Sequence, residues 1–183
     1  MALKKKEAFY ILSEYSPKRV LHIGGYEGEE GEIYEEIGTD FTFVEPVPRL
    51  ADIIRSKGYD CIQKAVGLGE ERVFHIDSMA GSSFLTSPIQ HITGQITLKP
   101  IPLSEIEEGY DTLVVDTEGT EFDVLKSGTL KGFKTIVCEL RDQATFEGET
   151  LKPVIEEYLK TKGFKKDHEF NQGNFYDVVF SKA

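Results

Sequence analysis

Apolar and polar positions follow two alternating periods along this chain, one of helices and one of strands. Ala8, Ile11, Leu12 and Tyr15 recur at helical spacing, which predicts an N-terminal helix within residues 1–17, ended by Pro17. "RVLHI" (Arg19 to Ile23) is a short apolar run of buried-strand type that leads into glycines. Ile33, Tyr34 and Ile37 mark one face of a helix closed by Gly38. "FTFVE" predicts a second strand. Pro48 suits a first helical turn, Leu50, Ile53 and Ile54 give that helix its apolar face, and Gly58 is its expected C-cap. "YDCIQKAVG" predicts a third strand and a turn.

The middle is less regular. "RVFHI" (Arg72 to Ile76) and "QITLKPIPL" (Gln95 to Leu103) read as strands, separated by a loop over residues 78–94 rich in Ser, Gly and Pro. A loop of that length without periodicity is functional or mobile. Regularity returns with the strand "YDTLVVD", a short helix carrying Phe122 and Leu125 and closed by Gly128, and the strand "KTIVCEL". Leu151, Val154, Ile155, Tyr158 and Leu159 form the cleanest amphipathic helix, stopped by Gly163. "FKKDHEF" and "NFYDVVF", joined through "NQG", predict a terminal hairpin.

Strands that alternate with helices imply an α/β fold: a largely parallel sheet covered on both faces, here with an antiparallel hairpin added at one edge. Ligands bind such sheets beyond the carboxyl ends of the strands, where strand order reverses. That rule puts Gly24, Glu45, Ala65 and Asp116 on one rim, because each directly follows a strand. No repeat or linker divides the 183 residues, so a single domain spanning 1–183 is expected.

Composition narrows the classes of partner. The net charge of −11 argues against a nucleic-acid groove or an anionic membrane as the main partner. No run approaches the roughly 20 apolar residues of a membrane span, and Glu7 and Glu14 interrupt any signal-peptide core at the N-terminus. Cys61 and Cys138 lie in strand-like runs without metal-ligand spacing and read as buried thiols of a reducing compartment. The expectation is a cytoplasmic protein, of unknown oligomeric state, acting on a small molecule.

The candidate chemistry sits at the strand tips. In "HIGGYEG", Gly24, Gly25 and Gly28 lie between a strand and a helix, where glycine allows close backbone approach and a helix N-terminus favours anionic groups. The pattern is neither GxGxxG nor a P-loop, and a tight connection is its bland reading. Glu45 ends the second strand and can accept hydrogen bonds from both hydroxyls of an adenosine ribose; its bland reading is a helix-capping acid before Pro46. "VVDTEGTEFDVLKSG" places Asp116, Glu118 and Glu121 at the tip of one apolar strand. Glu121 suits the first turn of the following helix and Thr120 its cap. Asp116, Glu118 and Glu139 could alternatively hold Mg²⁺ or Ca²⁺ through oxygen, but their spacing is too unspecific to predict a metal. His91, in the middle loop, is a candidate base or an incidental surface histidine, and Arg141 at the rim could hold an anionic substrate.

Taken in order, "VLHIGGYEG", "FVEPVP", "KAVG", "SSFL", "VVDTEGTEFDVLKSG" and "IVCEL" resemble the FkbM-type methyltransferases over roughly Val20 to Leu140. The resemblance implies a Rossmann-like seven-stranded mixed sheet and transfer of a methyl group from S-adenosyl-L-methionine to a hydroxyl of a sugar or small metabolite. It further implies that residues 24–28 wrap the methionine part of the cofactor, Glu45 with Pro46 holds the ribose, and the Ala65-Val66 turn flanks the adenine. Asp116 and Glu118 then face the transferred methyl, Asp116 as cofactor-facing residue or base. Ser83 matches a serine that the family places near the acceptor. The chain departs from the family where it has His22 for an acid and Tyr26 for an asparagine, both at the cofactor side. Those departures keep open a second function, a catalytically degenerate binding module of the same fold. A nicotinamide-dependent oxidoreductase would explain the glycines and Glu45 but not "DTEGTE".

Overall fold

The computed structural model of the chain describes residues 7–182. Seven strands form the main sheet in the order β3-β2-β1-β6-β7-β9-β8. They are β1 (Arg19–Ile23), β2 (Asp40–Val44), β3 (Cys61–Ile62), β6 (Thr112–Val115), β7 (Thr135–Leu140), β8 (Phe164–Asn171) and β9 (Tyr176–Lys182). The first five of these are parallel to one another, and β9 pairs antiparallel with both β7 and β8. This is the Rossmann-like mixed sheet with its antiparallel C-terminal hairpin. The strands "RVFHI" and "QITLKPIPL" are not part of it: β4 (Arg72–Asp77) and β5 (Ile92–Leu98) make a separate two-stranded sheet, and the second run stops at Leu98 because Pro100 and Pro102 cannot donate to a ladder.

Strand parity sorts the core into two layers. Leu21, Ile23, Leu113, Val115, Ile136 and Cys138 point to one face, where Val124 and Leu125 of α4 (Glu121–Ser127) and Ile155 and Leu159 of α5 (Lys152–Thr161) cover them. Val20, Phe43, Val114, Val137 and Val179 point to the other, under Ala8, Phe9 and Leu12, Ile33 and Tyr34 of α2 (Gly31–Ile37), and Ile54 of α3 (Pro48–Ser56). A third cluster joins Val47 and Leu50 to Phe74, so the β4-β5 hairpin rests on the start of α3.

Local chemistry modifies several expectations. The N-terminal segment is one α-helical turn, α1 (Glu7–Tyr10), continued as a 3₁₀ turn over Ile11–Tyr15; the part of the expected helix in residues 1–6 lies outside the described residues. The third strand shrinks to two residues, since polar Gln63 and Lys64 follow Ile62 at the sheet edge. Lys57, not Gly58, is the C-cap of α3, with Gly58 following at φ 88°. Cys138 is buried but Cys61 is only half-buried, and both are free thiols.

Strand order reverses between β1 and β6, and the two tips meet there. Ile23 pairs with both Val44 and Val115, so the next residues, Gly24, Glu45 and Asp116, stand level. Gly24 has φ 92°, and a Cβ on it would lie 1.6 Å from the Asp116 carbonyl oxygen. Gly38 also has a positive φ, 73°, but nothing stands within 4 Å of where its Cβ would be. Gly38→Ala is therefore expected to cost about 1 kcal/mol, the left-handed backbone alone. Gly24→Ala is expected to cost ~3 kcal/mol or more, because backbone must move as well. Urea denaturation of both variants checks this; equal losses would mean that the β1 and β6 tips do not abut.

Candidate active site

A cleft opens at the carboxyl ends of β1, β2 and β6, bordered by Gly24, Glu45, Pro46, Ala65, Val66 and Asp116. All four expected rim residues are thus brought together, and Phe74 and Phe84 of the β4-β5 region close one side. A second lobe continues past Gly24, Tyr26 and Asp116 to His22, Glu30, Glu139 and Asp177. Gly25 and Gly28 do not border either lobe; both are buried against Phe43 and Ile54, where they let the turn sit tightly on α3.

Glu45 is a clamp. It is 5% exposed, and its two carboxylate oxygens accept the backbone N–H groups of Tyr26, at 3.0 Å, and Val47, at 2.8 Å. One side chain therefore fixes the glycine turn after β1 to the turn before α3. Burial pushes its carboxyl up to about 7, against the opposing pull of those two N–H donors. Each oxygen retains acceptor capacity beyond these bonds. Tyr26 takes φ 45° and packs on the cluster of Val47, Leu50 and Phe74.

His22 has its parity set by β1. It is 2% exposed, its Nδ1 lies 3.0 Å from the Tyr34 hydroxyl, and its ring stacks on Phe9. Burial lowers its pKa to about 3, so the imidazole is neutral. It borders the second lobe as an uncharged wall.

The tip of β6 is folded back by its own helix. Glu121, 1% exposed, accepts from the N–H of Thr117 at 2.8 Å, from its hydroxyl at 3.1 Å, and from the N–H of Gly119 at 3.1 Å. Between them Glu118 adopts φ 55°. Thr120 holds the N-cap position but makes no side-chain cap; its hydroxyl instead donates to the Thr117 carbonyl. The helix starts where the sequence places it, with Glu121 in its first turn, but the capping bond expected of Thr120 is absent and Glu121 holds the preceding loop instead. Burial pushes the Glu121 carboxyl up to about 7.

Carboxylates crowd this tip. Asp116, Glu118 and Glu139 each bring an oxygen within 4.8 Å of the others. Burial first, and then Glu118, Glu121 and Asp177, hold the Asp116 carboxyl well above the usual range. Glu139 is raised in the same way, by burial and by Asp116 and Glu118, although Arg141 pulls against it. Asp116 Oδ1 is buried without a hydrogen-bond partner. Arg141 does not stand open for an anionic substrate. Its guanidinium is 6% exposed and already meets Glu118 at 2.8 Å, Glu149 at 3.3 Å and Glu139. It also sits between two of the three oxygens that a divalent ion would need.

The middle loop is held rather than loose. Ser83 is fully buried; its hydroxyl donates to the Glu118 carbonyl at 2.8 Å and accepts the Leu85 N–H at 3.0 Å. Asp77 accepts the N–H groups of Met79 and His91. The loop is shorter than expected, since β5 begins at Ile92. His91 is exposed and borders a separate hollow with Glu118 and Arg141, outside the main cleft. Sequence reasoning missed Glu30 and Asp177 at the second lobe. Asp177, a single acid inside the apolar run "YDVVF" and paired in register with Glu139, carried a readable signal.

The fold and this cleft define a class of protein. Over 96% of the chain, magnesium protoporphyrin IX methyltransferase from Synechocystis PCC 6803, solved with bound S-adenosylmethionine, superposes at a TM-score of 0.62 with 8% identity, using 76% of its own length. A SAM-dependent methyltransferase from Archaeoglobus fulgidus superposes at 0.57 with 13% identity, over 98% of this chain and 93% of its own. The 1,6-didemethyltoxoflavin-N1-methyltransferase of Burkholderia thailandensis, solved with S-adenosylhomocysteine, does so at 0.52 with 14% identity, over 100% of this chain and 78% of its own. At these identities the likeness is one of fold. No curated protein sequence matches the chain significantly. A family model of the methyltransferase FkbM domain matches residues 22–166, most of the chain, which therefore belongs to the FkbM methyltransferase family.

The raised Glu121 carboxyl has a consequence for stability. A folded-state value near 7, above the ordinary 4.5, means that the folded protein binds the proton more tightly than the unfolded chain. The stability from this group is present below about pH 4.5 and is lost as pH rises through 7. Glu121→Gln keeps an acceptor and removes the titration. Its unfolding free energy is expected to gain on wild type by up to about 3 kcal/mol between pH 5 and pH 8. Denaturant unfolding at both pH values measures the difference; a constant offset would show that the carboxylate ionises there without cost.

Proposed function

We propose that this protein binds S-adenosyl-L-methionine in the cleft and transfers its methyl group to a hydroxyl oxygen of a sugar or small metabolite. The observation that carries the reading is the convergence of Gly24, Glu45 and Asp116 at the strand-order reversal of a chain in a methyltransferase family. The residues fit the cofactor. An acidic cleft with an unpartnered buried carboxylate oxygen suits a molecule that carries a sulfonium and an ammonium. When bound, the cofactor supplies an electrophilic methyl group.

The chain's own residues supply position and charge. Glu45 accepts from the ribose hydroxyls with the acceptor capacity its backbone bonds leave. Pro46, Ala65 and Val66 make the apolar walls against the base. Gly24 and Tyr26, which border both lobes, enclose the methionine portion, and Gly25 and Gly28 hold that turn in place from behind. Asp116 faces the positive centre and, once that charge offsets its crowding, is ionised and able to accept the proton of the attacking hydroxyl; Glu118 supports it, and His91 is the alternative base from the acceptor side. Such a base contributes typically 10²- to 10⁴-fold, and in-line placement of the hydroxyl supplies much of the rest.

The neutral, locked His22 favours the second reading, a non-catalytic module, because it leaves no acid at that position. Against it, Glu29, Glu30, Glu139 and Asp177 all border the same lobe. Calorimetry separates the two: absence of S-adenosylmethionine binding at millimolar concentration rules out the enzyme. Asp116→Asn is expected to abolish methyl transfer and leave the folded state intact, and full activity in that variant would remove Asp116 from catalysis. Glu45→Gln is expected to raise the cofactor's dissociation constant at least tenfold, the loss of a charged hydrogen bond of about 1.5–3 kcal/mol. An unchanged constant would refute the ribose assignment.

A further inference from the structure

Beyond Glu118 and Phe175 lies an open hollow, set between the loop after β4, the segment after β7 and the β8-β9 turn. Glu118 borders both this hollow and the main cleft, and Phe175 borders both it and the lobe around His22. The hollow thus abuts the place where a transferred group would leave the cofactor cleft. Among polar neighbours it carries an apolar strip: Met79 and Ile89 are 66% and 69% exposed, unusually open for such side chains, Phe175 is half-buried, and Phe146 is buried, with Arg141 over both rings. The half-buried Phe175 ring, beside Met79 and Ile89, can receive a flat apolar body by edge contact.

The polar lining has a definite sign. Arg141, the sole Lys or Arg among the described lining residues, is held by Glu118, Glu139 and Glu149. Asp77, 8% exposed, also lines the hollow, anchored by the N–H groups of Met79 and His91. A carboxylate or phosphate brought here meets Glu118 and Asp77 and must compete with three carboxylates for one guanidinium. Like charges juxtaposed in a partly desolvated site exclude the wrong ligand.

Resting on the methyltransferase reading, we propose that this hollow is the acceptor site and that it selects an alcohol with a flat apolar body and an uncharged or amine-bearing periphery, rejecting one that carries a carboxylate or phosphate. The loop of Met79 and Ile89 then determines specificity through contact with the acceptor body, and Glu118 and Asp77 set the sign of the field, because the charge of Arg141 is already taken up by Glu118, Glu139 and Glu149.

The test is methyl-detected NMR on the full chain labelled at Met and Ile methyl groups; with 2 methionines in the sequence, the Met79 signal is readily assigned. Three matched ligands are titrated: benzyl alcohol and its 4-aminomethyl and 4-carboxylate derivatives. The neutral and amine compounds are expected to shift the Met79 and Ile89 signals, and the carboxylate to do so at least tenfold more weakly. The exposed double change Met79→Ala with Ile89→Ser is expected to weaken the binding that shifts the remaining signals, with the fold unchanged. Equal binding of the carboxylate, or no shift at Met79 and Ile89 from any of the three at millimolar concentration, overturns the proposal. S-adenosylmethionine titrated separately reads out at Ile23, in the main cleft. Silence at Ile23 would overturn the methyltransferase reading, and with it the hollow's role as an acceptor site, while the Met79 and Ile89 signals alone decide its ligand preference.

Discussion

One buried guanidinium makes the rim of this sheet possible. Asp116, Glu118, Glu121, Glu139 and Glu149 gather around it, and burial raises the cost of charge on Asp116, Glu121 and Glu139. Arg141 meets three of them at once. Burial alone would lower the pKa of an arginine, yet the surrounding acids more than reverse that and keep it charged. Its single charge cannot balance the whole cluster, and Asp116, Glu121 and Glu139 are accordingly held above the usual carboxylate range. Breaking such a pair from the cationic side would strand several buried acids at once.

The remaining acids serve as backbone clamps. Glu45 ties the turn after β1 to the turn before α3, and Glu121 ties residues 117 and 119 to the start of α4. Each replaces water around N–H groups that a sharp turn would otherwise leave bare. The cleft is therefore shaped by carboxylates twice over, once through geometry and once through field. Preorganised acceptors and donors of this kind need no rearrangement when charge arrives.

Much of this architecture is legible in the amino-acid sequence, and the exceptions have physical causes. Apolar runs announce the strands because a sheet buried on both faces needs them, and the carboxyl-end rule then locates Gly24, Glu45 and Asp116. The short edge strand β3 and the 3₁₀ turn after α1 are not readable, since edge pairing and helix tightening depend on neighbours distant in sequence. Thr120 has the right chemistry for a cap, but the loop before it folds back onto Glu121, which spacing cannot reveal. Arg141 looks available in the sequence because Glu118, one of its partners, lies 23 residues away. His22 reads in the sequence as a departure at the cofactor side, and its parity on β1 sets it both in the aromatic layer beneath α2 and on the border of the second lobe.

The hairpin that completes the sheet also closes it. β8 forms the outer edge with Lys165, Lys166 and Glu169 exposed along it, and its pairing slips between Lys166 and His168. At the opposite edge, β3 offers two residues. A neighbouring molecule seeking to extend the ladder would have to strip water from lysines on one side and find almost no template on the other. Both borders of the sheet thus discourage growth of the ladder by a further strand.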